Sequence, residues 1–112
     1  KPVLPAFNGH VPAALKRIYP DANIQSLGKW AVFQNNIIVL FDPEEPLFSL
    51  YKEVPERADT LFGTDHIYGV DPFNEVDPPS WEPDYLGKVS SKLYHTLTEA
   101  DPKAEWLQMT WM

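Results

Sequence analysis

One stretch constrains the fold of this chain more than any other, a short apolar segment that runs into a proline-stiffened acidic loop. Residues 66–70 form a largely apolar run between Gly63 and Pro72, and the shortness of the run together with the proline excludes a helix. Such a run is typical of a strand buried on both faces, as in a parallel sheet. Asn74 and Glu75 come directly afterwards, so the sequence predicts a carboxylate held on a rigid turn at the end of a strand.

Strand-like and helix-like segments alternate on both sides of this stretch. The predicted strands cover 2–7, 66–70 and 105–111, and the predicted helices cover 13–18, 42–62 and 84–100. The helix over 84–100 is the best defined, because its apolar side chains recur every three or four residues along one stripe. Strands that alternate with helices through right-handed crossovers build a parallel sheet, so we expect an α/β fold.

The segment between the first two helices is less regular. Residues 23–36 show no period of either kind and predict a long irregular loop. The apolar run 37–41 is compatible with a strand or with a buried turn of chain. Asp42 has the sequence context of a helix N-cap. We expect Pro55 to kink or break the helix that follows, and Gly63 to end it.

The predicted sheet is too small to close on itself. A parallel sheet needs cover on both faces, and three strands with about three helices form only an arc. The chain also begins on strand residues and stops on the strand predicted over 105–111. We therefore expect residues 1–112 to be a fragment of a single larger barrel domain, with the remaining strands on polypeptide outside these residues.

Composition narrows the classes of partner. The chain has no cysteine, which excludes a disulfide scaffold. Its formal net charge is −7. Its nine Lys and Arg residues are scattered, which disfavours nucleic acid and anionic membrane, and no stretch approaches a membrane span. The four Trp, five Tyr and six Phe residues stand beside isolated carboxylates, a combination that suits a neutral carbohydrate. For any single aromatic residue, burial in the core is the commoner explanation.

The histidines do not indicate a metal site. Neither His10 nor His66 has a second ligand two to four residues away, and a zinc site needs three or four ligands. We expect His66 to be a structural hydrogen-bonding residue and His95 to be solvated on its helix. Trp81 and Trp106 are expected to be packing residues of the core or of a loop.

Five ordered motifs span nearly the whole chain. They are LPAFNGHVP at 4–12, LGKW at 27–30, GTDHIYG at 63–69, DPFNE at 71–75 and WLQ at 106–108. Together they closely resemble the α-N-acetylglucosaminidases of glycoside hydrolase family 89. The resemblance implies the central part of a (β/α)8 TIM barrel in an exo-acting retaining glycosidase. Such an enzyme releases terminal α-linked N-acetylglucosamine and uses neither a metal nor an organic cofactor.

The same resemblance implies roles for four residues. Glu75 corresponds to the general acid/base of the family, and Asn74 before it is expected to hydrogen-bond the 2-acetamido group of the sugar. Trp30 and Trp111 correspond to aromatic residues that line the sugar pocket. The nucleophilic glutamate of the family corresponds to a position downstream of residue 112.

Other interpretations stay open on the residues alone. A glutamate just past a strand is more often solvated or a helix cap, and asparagine is favoured in turns in any case. Asp71 is either a carboxylate near the site or a member of a local polar network. The alternative function is a non-catalytic carbohydrate-binding or interaction module, which a missing second carboxylate would favour. The sequence does not fix the compartment, although a secreted or periplasmic protein is favoured over a cytoplasmic one.

Overall fold

Three parallel strands and a long helix organise the protein. The computed structural model describes residues 1–29, 36–39, 52–74 and 77–109. In chain order the elements are β1 (Leu4–Pro5), α1 (Leu15–Ile18), β2 (Gln25–Lys29), β3 (Asn36–Val39), α2 (Glu53–Phe62), β4 (Ile67–Gly69), α3 (Pro83–Ala100) and β5 (Glu105–Leu107). Strands β1, β4 and β5 form one sheet with β4 in the centre, and β2 pairs with β3 in a separate antiparallel ribbon.

The central strand β4 is parallel to both neighbours. Tyr68 lies opposite Leu4 on one side and Trp106 on the other. Tyr68 and Val70 are completely or almost completely buried, because alternate side chains of a strand point to the same face. Trp106 packs against the same core and donates from Nε1 to the carbonyl of Val70 at 2.8 Å. The predicted parallel strand and the packing role of Trp106 are both confirmed. Burial on both faces of the strand is not, since Ile67 and Gly69 on the second face are half-buried.

Helix α3 covers one face of this sheet. Val89, Leu93 and Leu97 are buried against Tyr68 and Val70, since residues four apart lie on one face of a helix. Pro83 stands in the first turn of α3, where its missing amide hydrogen costs nothing. The helix predicted over 84–100 is therefore confirmed to within one residue.

Helix α2 agrees with the prediction at its end. It begins at Glu53, so Pro55 falls in its first turn, where proline is tolerated. The kink or break expected at Pro55 stays a prediction, because residues 40–51 before this helix lie outside the described part. Gly63 ends the helix as predicted, with φ of 71° and its amide donating to the carbonyl of Asp59 at 2.8 Å. The helix start predicted at Asp42 lies outside the described residues.

The β2–β3 ribbon corrects the prediction of a long loop over 23–36. Residues 25–29 form a strand, and the strand alternative for the run after residue 36 is correct as far as Val39. The register shifts between Ser26 and Gly28. A bulge of this kind puts successive side chains out of phase, which explains why the segment shows no two-residue period.

The remaining elements are shorter than predicted. The strand expected over 2–7 is regular only at Leu4–Pro5, and the one expected over 105–111 is regular at Glu105–Leu107, with residues 110 and 111 outside the described part. Trp81 was expected to pack, which is wrong, since it is 69% exposed in the loop before α3. Within the described ranges, no helix is long and apolar enough to cross a membrane.

Candidate active site

The carboxyl ends of β1, β4 and β5 meet at one edge of the sheet. Because the three strands are parallel, the segments that follow them, 6–9, 70–74 and 108–109, leave the sheet at this same edge. In β/α barrels the chemistry takes place at this edge, where loops are carried by the rigid strands. The candidate active site is therefore the group of segments at this edge.

The segment after β4 is fixed at its start. The amide of Asp71 donates to Oδ1 of Asn8, in the segment after β1, at 3.0 Å. Pro72 is buried, and residues 72–74 form a turn that ends at the exposed Asn74. Pro78 is buried further along the same loop. The turn before Glu75 is thus held by a bond across the sheet edge and by a buried proline ring.

The carboxylate of Asp71 behaves differently from its amide. Asp71 is half-buried, and its Oδ2 atom is buried without a hydrogen-bond donor in the part of the chain that the structure describes. Buried polar atoms without a partner are uncommon in proteins. Asp71 therefore enters a local polar network through its backbone amide, whereas its Oδ2 atom takes no part in one.

The described structure contains one of the four predicted site residues. Asn74 lies at the end of the turn after β4, on the edge where the prediction placed it. Glu75, Trp30 and Trp111 lie outside the described residues, so the roles expected of them stay predictions.

The opposite end of β4 carries a hydrogen-bond network. Nδ1 of His66 lies 2.7 Å from Oδ2 of Asp101, and the hydroxyl of Tyr68 donates to the same oxygen at 2.8 Å. The hydroxyl of Thr64 donates to the Tyr68 hydroxyl at 3.2 Å and accepts from the His66 amide at 2.9 Å. The amide of Lys103 donates to Oδ1 of Asp101 at 3.0 Å. The structural role predicted for His66 is confirmed.

The network shifts the titration of its members. Burial alone would raise the pKa of Asp101, but hydrogen bonds from His66, Tyr68 and the Lys103 amide outweigh it and hold that pKa below its ordinary value. Burial raises the pKa of Tyr68, and the neighbouring Asp101 charge adds to the increase. Because these groups lie at the amino end of the strands, opposite the end that carries the chemistry in β/α barrels, the network stabilises the fold.

Sequence reasoning missed Asn8 and Asp101. In the sequence, Asn8 stands out only as part of the motif at 4–12, and its partner is 63 residues away. Asp101 directly follows the helix predicted over 84–100, and Asp followed by Pro is a frequent turn start in which the side chain accepts from a nearby amide. That local signal could have predicted the bond to the Lys103 amide, but not the bonds to β4.

A metal centre finds no support in the described residues. Across 1–29, 36–39, 52–74 and 77–109, no group of three His, Asp or Glu side chains could hold an ion. Burial lowers the pKa of His10 below its ordinary value, which favours the neutral ring at neutral pH.

The parallel strands, the helix that covers them and the loops that follow them are the architecture of the α/β TIM-barrel class. Over residues 1–112 the chain matches the family described as the alpha-N-acetylglucosaminidase (NAGLU) tim-barrel domain. The chain belongs to this family, and the α/β TIM-barrel fold predicted from the sequence is confirmed.

The chain is also similar to individual enzymes in sequence and in structure. The chain is 43% identical over 114 residues to the alpha-N-acetylglucosaminidase of Homo sapiens, covering 99% of this chain and 15% of that protein. It also matches a family 89 glycoside hydrolase from Clostridium perfringens in complex with 2-acetamido-1,2-dideoxynojirmycin, with a TM-score of 0.82 and 28% identity. That match covers 100% of this chain and 13% of the hydrolase chain. The chain thus spans only a small part of the length of its relatives.

A further structure shows a relative with a sugar bound. It is a variant of the Clostridium perfringens enzyme with two glutamates replaced by glutamine, in complex with its substrate GlcNAc-alpha-1,4-galactose. The TM-score is 0.82 at 27% identity, over 100% of this chain and 13% of the other.

Proposed function

We propose that this chain is the central part of the catalytic barrel of an exo-acting retaining glycoside hydrolase that releases terminal α-linked N-acetylglucosamine. The turn after β4 carries the proposal, because it brings Asn74, the residue that precedes Glu75 in the sequence, to the carboxyl end of a barrel strand. Family membership over residues 1–112 supports it. The parent enzyme is the longer polypeptide that would contain this segment.

Glu75 is the proposed general acid and base. As the acid it protonates the glycosidic oxygen while the bond from that oxygen to the anomeric carbon breaks. A second carboxylate attacks the anomeric carbon and forms a covalent glycosyl intermediate. Glu75, now deprotonated, then takes a proton from the water that attacks the same carbon. Two displacements at one carbon return the original configuration of the sugar.

The nucleophile is proposed to come from polypeptide outside residues 1–112. A retaining pair of carboxyl groups stands about 5–5.5 Å apart, which the closed barrel achieves by bringing loops from different strands together. The substrate complex of the relative with two replaced glutamates is consistent with a reaction that depends on two carboxylates. The other segments of the barrel are therefore the proposed partners of this chain.

The proposed sugar contacts follow the chemistry of N-acetylglucosamine. Asn74 would hydrogen-bond the 2-acetamido group, whose amide offers both a donor and an acceptor. Trp30 and Trp111 would pack on the apolar faces of the sugar ring. The ligands of the structural relatives, 2-acetamido-1,2-dideoxynojirmycin and GlcNAc-alpha-1,4-galactose, both carry such an acetamido group.

A time-resolved NMR assay of the parent enzyme tests the proposal. Hydrolysis of an aryl α-N-acetylglucosaminide should first give the α anomer of the free sugar, before mutarotation mixes the anomers. First formation of the β anomer would contradict retention. Binding of N-acetylglucosamine without any hydrolysis would instead indicate a carbohydrate-binding module.

A further inference from the structure

The side chain of Asn8 replaces a main-chain partner at the edge of the sheet. Strand β1 pairs with β4 as far as Pro5 and Gly69, and the amide of Ala6 donates to the carbonyl of Gly69 at 3.2 Å. A regular parallel ladder would continue with the amide of Asp71 donating back to a main-chain carbonyl of the β1 segment. That amide donates instead to Oδ1 of Asn8 at 3.0 Å.

Asn8 is itself held on a fixed piece of backbone. The residue after it, Gly9, is buried and has φ of 84°, a conformation that residues with a side chain rarely adopt. Asn8 is half-buried, so its bond to Asp71 is partly shielded from water. The hydrogen bond from the Asp71 amide to Asn8 therefore joins the segment after β4 to a constrained segment after β1.

The anchored residue lies directly before the turn that precedes the proposed acid/base. The hydrogen bond from its amide to Oδ1 of Asn8 ties Asp71 to the β1 segment. The next residue, Pro72, is buried and has a φ angle restricted by its ring. The position of Asp71 and the restricted φ of Pro72 together constrain where the turn at 72–74 begins and in which direction it leaves the sheet.

We propose that Asn8 is a positioning residue for the general acid/base, an inference that rests on the proposed function of Glu75. Asn8 fixes the start of the turn from which Glu75 follows, and it acts through Asp71 without contacting substrate. Proton transfer requires the acid to lie within hydrogen-bond reach of the glycosidic oxygen. A displacement of about 1 Å can lower the rate about a hundredfold, so loss of the anchor reduces acid catalysis.

The test compares two leaving groups in the parent enzyme. A disaccharide has a poor leaving group that needs protonation, whereas an activated aryl glycoside needs little. For Asn8→Ala we expect kcat/KM to fall about ten- to hundredfold on the disaccharide and by less than about threefold on the aryl glycoside. A merely structural role, which lowers the amount of folded enzyme, would reduce both by the same factor.

Two variants serve as controls. Asn8→Asp keeps an acceptor oxygen at the same distance along the side chain and should restore most of the loss on the disaccharide. Gln25→Ala removes an exposed amide side chain from β2 and should leave both substrates unaffected. If Asn8→Ala does not fold, Asn8→Ser is used in its place. The serine side chain is too short to bring its oxygen to the amide of Asp71, so this variant should show the same selective loss on the disaccharide.

Hydrogen exchange gives a readout that does not depend on activity. A peptide covering residues 71–74 should exchange its amide hydrogens faster in Asn8→Ala than in the wild type or in Asn8→Asp. Unchanged exchange of this peptide would contradict the anchoring role.

A parallel measurement on Glu75→Gln separates this inference from the proposed function. If Glu75→Gln selectively loses disaccharide hydrolysis while Asn8→Ala loses both substrates equally or neither, the positioning role is overturned and the proposed function stands. If Glu75→Gln shows no selective loss, both are overturned.

Discussion

Asp101 accepts a hydrogen bond from His66 across 35 residues of sequence, with 2.7 Å between Nδ1 and Oδ2. An ionised carboxylate has no hydrogen to donate, so the imidazole must carry its hydrogen on Nδ1. Asp101 follows the last residue of α3, and His66 precedes the first residue of β4. The bond therefore fastens the end of the helix to the start of the strand that it covers.

Replacing Asp101 by asparagine should destabilise the parent enzyme in a pH-dependent way. The folded pKa of Asp101 lies below its ordinary value of 3.8, so its ionised form contributes stability above that value and the contribution is lost as the pH falls through the folded pKa. We expect Asp101→Asn to cost about 1–3 kcal/mol near neutral pH. The difference in apparent Tm between wild type and variant should narrow in acid.

Glu99→Gln is the matched control for this prediction. Glu99 is an exposed carboxylate in the last turn of α3, and its replacement should change the apparent Tm little at any pH. If the difference in apparent Tm between the wild type and Asp101→Asn stays constant down to pH values below 3.8, ionisation of Asp101 does not stabilise the fold.

The parts of the fold that could be predicted from sequence depend on local patterns. Helix α3 was predictable because its buried side chains, Val89, Leu93 and Leu97, repeat at the spacing of a single helix face. Strand β2 was not, because the register shift between Ser26 and Gly28 removes the alternation by which a strand is identified. The effect of Pro55 is not readable from local sequence alone, since it depends on how far into a helix the proline stands.

In the candidate site, too, the features set by local sequence could be predicted and the long-range contacts could not. The turn at 72–74 was predictable, because an apolar run that stops at a proline indicates where a strand ends. The bonds of Asn8 to Asp71 and of Asp101 to His66 were not, because each joins residues that only the parallel sheet brings together. Long-range partners of single polar side chains leave no periodic trace in a sequence.

Replacing Glu75 by glutamine should affect the two classes of substrate differently. The change keeps the shape of the side chain and removes its titratable proton. Hydrolysis of substrates with poor leaving groups should fall by roughly 10²–10⁴-fold, the usual contribution of general acid catalysis. An activated aryl glycoside should lose less in the glycosylation step. Steady-state kcat/KM values measure that step, and equal losses for both substrates would show that Glu75 is not the acid.

Alanine at Trp30 or at Trp111 should weaken sugar binding more than it weakens the fold. If these rings stack on the sugar, a competitive N-acetylglucosamine-like inhibitor should bind about 1–2 kcal/mol less tightly to either variant. Calorimetric titration and thermal melting measure the two effects separately. Trp81→Ala is the control, since Trp81 is exposed in a loop before α3. A large fall in Tm with unchanged inhibitor affinity would assign the two rings to the core.

The 112-residue chain on its own should associate and should show no turnover. In the described sheet, β1 and β5 are edge strands, and unpaired strand edges favour pairing with other chains. Leu107, the last residue of β5, is 51% exposed, and Met109 just after it is 59% exposed. Both add apolar surface beside this edge strand. Glu75 without an ionised partner would neither form nor resolve a glycosyl intermediate.

Size-exclusion chromatography with light scattering, coupled to an assay on an aryl α-N-acetylglucosaminide, tests both expectations. Leu107→Lys places a charge on the edge strand and should shift the chain toward the monomer. Gln108→Lys adds the same charge at an exposed polar neighbour and should shift it less, because it removes no apolar surface. A monodisperse wild-type monomer with a cooperative melting transition would contradict the need for further barrel segments. Hydrolysis abolished by Glu75→Gln would place a nucleophile within these residues, and Asp71 would be the first carboxylate to replace.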